Sequence, residues 1–201
     1  PIPGLGEVPL YSYGIMLADV MGHGVAAAPH TMHLSSLWTR YNHELINPAE
    51  FASRVNRELS RVVRDESFAT AICGVIDAGT GILRFASAGG PPALVFRTDN
   101  TVHEVDAPGL PLGMIEDAEY DETTVQLERG DCLLLVSDGA IEIHNSAGQM
   151  LGVDGLVQML QAHGYPYSPL PVKQIEDELL RYSNAIRLSD DVTLIEMRCL
   201  R

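Results

Sequence analysis

The sequence predicts an α+β sandwich of antiparallel strands and helices. Short apolar strands follow one another in hairpin order through the middle of the chain. Helical segments come in pairs towards both ends of the sequence, and no repeat, linker or low-complexity stretch divides it. With 201 residues the chain is long enough to bury one good core, so a single domain over 1–201 is expected.

The elements follow in order. "YSYGIMLADV", rich in aromatic and apolar residues, reads as a strand ending at Asp19. After Gly22-His23-Gly24, "VAAAPHTMHLSSLWTRYNHEL" is Ala- and Leu-rich enough for a helix, with Pro29 tolerated in its first turn. A second helix over "NPAEFASRVNRELSRVV" has a start signal: Asn47 as N-cap, Pro48 at the first helical position and Glu50 at the third. Phe51, Val55, Leu59, Val62 and Val63 recur at helical spacing and predict one core-facing stripe. "FATAICGVID" and "GILRFASAG" are strands joined by the turn Ala78-Gly79-Thr80-Gly81. "PALVF" and "TVHEVD" around "RTDN" predict a second hairpin, and "YDETTVQLE" and "CLLLVSDG" around "RGD" a third. "VDGLVQMLQAHG" and "PVKQIEDELLRYSN" are helical, the acids of "IEDELL" falling on a solvated face, and "DVTLIEMRCL" is a closing strand.

Composition excludes several function classes. The net charge of -14 disfavours nucleic acid, whose phosphates demand basic patches, and equally disfavours anionic membranes. No apolar run reaches a membrane span, and no signal peptide is present. Cys73, Cys132 and Cys199 are few, odd in number, far apart and each in an apolar stretch, so they read as buried thiols in a reducing cytoplasm, with Cys73 and Cys132 in core strands. The chain opens on "PIPGLGEVPL" without Met and reads as a domain excised from a longer protein.

Three aspartate positions share a context. Asp19 ends "IMLAD", Asp138 ends "CLLLVSD", and Asp190 and Asp191 precede "VTLIEM". Each stands at the tip of a strongly apolar strand, where a rigid element can hold a carboxylate. Such hard oxygen donors suit Mg²⁺ or Mn²⁺, and a pair of ions can activate a bridging water for phosphoryl transfer. Taken singly, Asp19 reads equally as a helix cap or turn residue, Asp138-Gly139 as a turn and Asp190 as a loop acid.

In combination, "ADVMGHGVAAA", "FATAICGVIDAGTGILRFASAGGPPALVF", "GLPLGM", "LERGDCLLLVSDGAIEIHNSAGQMLG" and "DDVTLI" resemble the metal-dependent protein phosphatase family (PPM, type 2C), in its bacterial branch related to the stage II sporulation E phosphatase. The likeness runs from about Tyr11 to Met197. It implies a four-layer α-β-β-α sandwich, two antiparallel sheets flanked by helices, with two Mn²⁺ or Mg²⁺ ions. It implies Asp19 as the metal-bridging ligand, with the Val20 carbonyl, Asp138 and Asp190 completing the metal site. Gly22 and Gly24 would make the tight turn, and Gly139 and Asp191 would stand next to the ligands. The reaction implied is hydrolysis of phosphoserine or phosphothreonine on a protein by a metal-bridging water, without a phosphoenzyme. The partners implied are anti-anti-sigma proteins or similar signalling substrates, with a sensor or receiver domain upstream.

The chain departs from that pattern at three places. Nothing matches the family's N-terminal acidic strand, which either precedes Pro1 or is lacking; Glu7 falls in "GLGEVPL", a hairpin leading from it. Gly90 stands where relatives carry His, and Met21 where many carry Ser. His23 is a candidate for proton transfer or an ordinary loop histidine. His30 and His33 share a helix face, but no acidic third ligand is in phase. Ser137 lacks a nucleophile elbow, which argues against a serine hydrolase, and "GGPPA" has no Lys to make a P-loop. The alternative to the enzyme is a weakly active or inactive phosphatase-like module that binds proteins. A hydrolase of small phosphorylated metabolites would use the same residues.

Overall fold

The structure, a computed structural model, describes residues 12–22, 27–62 and 67–200. The chain divides into two compact units, one formed by residues up to Gly90 with Ala107–Gln126, the other by Pro91–Asp106 with Leu127 onward. The expected α+β class holds: among the described residues there are two four-stranded antiparallel sheets and four α-helices, two in each unit.

In the first unit, β1 (Ser12–Val20), β2 (Ala69–Asp77), β3 (Ile82–Ala88) and β6 (Thr123–Gln126) form one sheet in the order β1-β2-β3-β6. The expected turn between β2 and β3 is closed by Asp77, whose carboxylate accepts the N–H groups of Gly79 (2.7 Å) and Thr80 (3.3 Å). Helices α1 (Ala28–Tyr41) and α2 (Pro48–Ser60) build the core of this unit with the sheet. Small residues of the sheet, Ala69, Ala71, Cys73, Ala86 and Ala88, cluster with Phe51, Val55 and Leu59 of α2 and Leu34 and Leu37 of α1. Trp38 meets Phe51 edge to face at 5.9 Å. Pro29 lies in the first turn of α1, as expected.

Two expectations for these helices need correction. The first helix stops at Tyr41 and gives way to a 3₁₀ turn over Asn42–Ile46. The second stops at Ser60, so Val62 falls outside the buried stripe and is 51% exposed; Val63 lies outside the described residues. Asn47 does stand at the N-cap, but its amide donates to Glu50 Oε2 at 3.2 Å and its side chain caps no backbone N–H. The stripe also contains a polar member. Asn56, fully buried, donates to the carbonyls of Ile115 (2.8 Å) and Glu116 (3.0 Å) and accepts the Gly113 N–H (2.8 Å). Helix α2 thereby pins the 113–116 loop.

In the second unit, β4 (Ala93–Phe96), β5 (Val102–Val105), β7 (Cys132–Val136) and β8 (Leu194–Arg198) form a sheet in the order β5-β4-β7-β8. Strands β4 and β7 are buried along their whole length, which is why they read as unbroken apolar runs rather than alternating ones. Leu156 and Leu160 of α3 (Gly152–Ala162) and Ile175 and Leu179 of α4 (Val172–Ser183) pack with Leu94, Phe96, Leu134 and Val136. Tyr165 closes on Phe96 at 4.7 Å.

The third predicted hairpin does not form. Strand β6 pairs with β3, whereas β7 pairs with β4 and β8, so the residues between them carry the chain from one sheet to the other. Buried Asp131 fixes that passage: it accepts an ion-pair bond from Arg97 and the Glu128 N–H at 2.7 Å. Gly130 and Asp131 bond to Cys199 beyond β8, at 2.8 and 2.9 Å. The turn is therefore tied to β8 and β4, not closed on β6. The final strand is also shorter than expected, since pairing starts at Leu194 and leaves Asp190–Thr193 as a loop.

Candidate metal centre

Strand β7 delivers its fully buried run to Ser137, and the last paired residues are Val136 and Leu194. Beyond them the connection passes to a side chain. Ser137 N donates to the Thr193 carbonyl at 3.0 Å, Ser137 Oγ donates to the Asp191 carbonyl at 3.1 Å, and Thr193 N donates back to Ser137 Oγ at 2.9 Å. Ser137 thus stitches the Ser-Asp-Gly segment to the Asp-Asp-Val-Thr segment. Asp138 then opens a 3₁₀ turn over Asp138–Ala140, its carbonyl accepting the N–H groups of Ile141 (2.9 Å) and Glu142 (2.8 Å).

Gly139 shows how closely these segments approach. A Cβ at this position would lie 2.3 Å from the Asp191 carbonyl oxygen and 3.3 Å from Asp190 Cβ. No side chain fits there, so the Asp138 turn lies directly against the Asp190-Asp191 backbone. Asp138 is half-buried, and Asp190 and Asp191 are exposed. Asp138 Oδ1 accepts the Gly139 N–H and Asp190 Oδ1 the Asp191 N–H, both at 2.8 Å. Among the described residues no Lys, Arg or His neutralises Asp138, Asp190 or Asp191. The second unit therefore presents uncompensated oxygen donors on two interlocked loops, a donor set that fits a hard divalent cation.

In the first unit, Asp19 is the penultimate residue of β1, opposite Thr70, and Val20 closes the strand opposite Ala69. Both are half-buried, and Val20 packs on the core of α1 and α2. The ladder extends one step further through Met21 N to the Phe68 carbonyl at 2.9 Å. Gly22 then takes a φ of +95°, a conformation that glycine adopts without strain, as expected of the turn after the strand. Strand β1 thus runs one residue past Asp19 and holds its backbone in a paired register.

Glu7, His23 and Gly24 lie outside the described residues. His30 and His33 are half-buried on α1, and the His30 Nδ1 and His33 Nε2 atoms are buried with no hydrogen-bond partner among the described residues. Among the described residues no group of three or more His, Cys, Asp or Glu side chains is arranged to hold a metal ion. Gly90 is half-buried and Met21 is exposed. Cys73 and Cys132 are buried as expected, but Cys199, beyond the end of β8, is only half-buried; all three are free thiols. Burial pushes the Cys73 thiol up to about 12 and raises the Cys132 thiol as well. Neither is a nucleophile. The sequence reading weighed Ser137 only as a nucleophile; its bracing role depends on partners more than fifty positions away, visible beforehand only as two motifs in one chain.

A family described as Stage II sporulation protein E (SpoIIE) matches residues 11–200 of the chain. The phosphoserine phosphatase RsbU of Bacillus subtilis (strain 168) is 30% identical over 188 residues, which cover 93% of this chain and 56% of RsbU. The chain thus spans little more than half the length of that relative. The PP2C phosphatase domain of the cell fate determinant SpoIIE from Bacillus subtilis, solved with a fragment of its regulatory domain, superposes with a TM-score of 0.74 at 23% identity, over 93% of this chain and 54% of that one. The catalytic domain of the serine/threonine protein phosphatase PstP, solved in complex with two manganese ions, gives 0.62 at 14% identity over 92% and 89%. The fold is accordingly that of the PP2C phosphatases. With the family matched over nearly all of its residues, the chain belongs to the SpoIIE family of PP2C-type phosphatase domains.

Proposed function

We propose that this chain is the catalytic domain of a Mn²⁺- or Mg²⁺-dependent phosphatase that removes phosphate from serine or threonine of a regulatory protein. The observation that carries the reading is the interlocked pair of loops at Asp138 and Asp190, with carboxylates that no basic side chain among the described residues neutralises. Asp19, the Val20 carbonyl, Asp138 and Asp190 would hold the ions, with Gly139 and Asp191 beside them. Two such ions, when bound, would supply activation of a water and Lewis-acid stabilisation of the phosphoryl oxygens. The residues of this chain position and hold charge. Ser137 and Gly139 fix the distance between the two loops, and the Gly139 and Asp191 N–H groups orient one oxygen of each carboxylate, leaving the other for a cation. His23, adjoining the Asp19 turn in sequence, is a candidate for proton transfer.

RsbU is a phosphoserine phosphatase by its own description, which favours a phosphoserine regulator, such as an anti-anti-sigma protein, as the substrate here. An upstream sensor or receiver domain and a cytoplasmic location belong to the same proposal. Among the described residues no helix is long and apolar enough to cross a membrane. The second reading, a phosphatase-like binding module, draws on the lack of a ready-made metal-holding trio among the described residues. One assay separates the two. The full-length protein should hydrolyse a phosphoserine peptide with Mn²⁺ and not without it, and Asp19→Ala or Asp138→Ala should abolish that activity while circular dichroism stays unchanged. Full activity in either variant sinks the site assignment; the wild type failing on every phosphoprotein offered hands the case to the binding module.

A further inference from the structure

In the first unit a cavity of about 420 Å³ opens between α2, the 3₁₀ turn before it and the segment at Glu119 and Tyr120. Ala49 and the buried Tyr120 give it an apolar wall that belongs to the core of this unit. The charged side chains around it are Glu44, Glu50, Arg54, Arg57 and Glu119. Glu50 stands four residues before Arg54, a spacing at which a helix pairs opposite charges. Arg54 is committed elsewhere, to Glu44 at 3.4 Å and over the Tyr41 ring at 5.6 Å. Glu50 accepts the Asn47 amide at 3.2 Å and meets no cation among the described residues. Arg57 and Glu119, both exposed, form no side-chain ion pair or hydrogen bond among the described residues. Opposite charges thus face one cavity without neutralising one another. Tyr120 is only 7% exposed, and its hydroxyl is buried without a hydrogen-bond partner among the described residues. A buried polar group left unpaired marks this wall as incomplete.

We propose that this cavity binds a free basic amino acid, a molecule with two ammonium groups and one carboxylate. Once Glu44 and Arg54 cancel, two carboxylates and one guanidinium remain, and a basic amino acid carries the complementary set. Its carboxylate sits on Arg57, whose planar fork matches that group. Its ammonium groups sit on Glu50 and Glu119, and its methylene stem packs on Ala49 and Tyr120. Glu50 and Arg57 lie on one face of α2, about 10 Å apart along the axis, a span that a small amino acid fills between two long side chains. A cavity of this size suits a small molecule. A purely anionic ligand would leave the two carboxylates unpaired, and a purely cationic one the guanidinium. The occupant ties α2 to the segment following the 113–116 loop that Asn56 already clamps. The site needs no metal and stands apart from the phosphatase chemistry.

Calorimetric titration of the full-length protein with L-lysine tests it, beside norleucine, which lacks the side-chain ammonium, and cadaverine, which lacks the carboxylate. Lysine should bind, and each analogue should bind about tenfold more weakly, the loss of one charge-assisted contact. Arg57→Gln should bind lysine about tenfold more weakly and no longer prefer it to cadaverine. Glu119→Gln should weaken lysine by a similar factor and narrow its margin over norleucine, Glu50 remaining. Both positions are exposed, so the variants keep their fold, which circular dichroism checks. Lysine should also raise the thermal midpoint of the wild type and not that of Arg57→Gln. No binding of lysine by the wild type, equal binding of norleucine, or wild-type affinity in both variants overturns the proposal. Binding of a lysine-bearing peptide but not of free lysine overturns it too, assigning the cavity to a protein partner.

Discussion

At Gly139 the missing side chain sets the geometry of two acidic loops, because the space a Cβ would need is filled by the Asp191 carbonyl 2.3 Å away. Gly139→Ala must push the 190–191 backbone away from the Asp138 turn. A displacement near an ångström in a phosphoryl-transfer site costs about 100-fold in rate, and Mn²⁺-dependent peptide hydrolysis should fall by that order while the far-ultraviolet circular dichroism holds. Ser137 works at the same joint through two hydrogen bonds. Ser137→Ala leaves the Thr193 N–H unpaired, and urea denaturation should register a loss of about 1–2 kcal/mol. The sequence marked Asp138 and Gly139 correctly as neighbours of a strand end, because an acid after a buried apolar run is a local signal, whereas Asp190 stands in the loop before β8 and not at its tip. What Ser137 does was not local. Its partners are 54 and 56 residues away, and nothing in "VSDG" distinguishes a stitching hydroxyl from an idle one.

Among the elements, α2 shows both what periodicity reveals and where it stops. Phe51, Val55 and Leu59 fell on the buried face as the spacing required, while Val62 did not, because the helix ends at Ser60. Asn56 lies on the same face and is fully buried by clamping the 113–116 loop with three hydrogen bonds. Asn56→Ala should cost about 2–4 kcal/mol in chemical denaturation, since it strands two carbonyls and an N–H in a buried place. Asn56→Ala at wild-type stability would show the clamp to be incidental. The β6–β7 connection is the element the sequence misled. "RGD" between two apolar runs has the composition of a hairpin turn, yet Asp131 is spent on Arg97 and the Glu128 N–H. A change of sheet carries no composition of its own; it is legible only in the strands each run chooses as partners.

For the whole molecule, the three thiols report on folding. Burial holds the Cys73 thiol at about 12, and the same desolvation, with Cys73 nearby, raises the Tyr120 phenol. Both groups are neutral when protonated and their folded values lie above their ordinary ones. Their contribution to stability is therefore complete below about pH 9 and is lost as the pH climbs towards 12. Urea midpoints should hold from neutrality to pH 9 and fall above it. Ellman's reagent should reach at most Cys199 in the native protein and all three thiols in denaturant. The α+β class, the β2–β3 and β4–β5 hairpins and the acids beside the ends of β1 and β7 were readable from pattern. The role of those acids as one metal centre remains the central claim, and metal binding tests it without any assumption about substrate. Calorimetric titration of the full-length protein with Mn²⁺ should show two ions bound, with at least one lost in Asp138→Ala; a wild type that binds none, or a variant that binds both as tightly, would contradict the account.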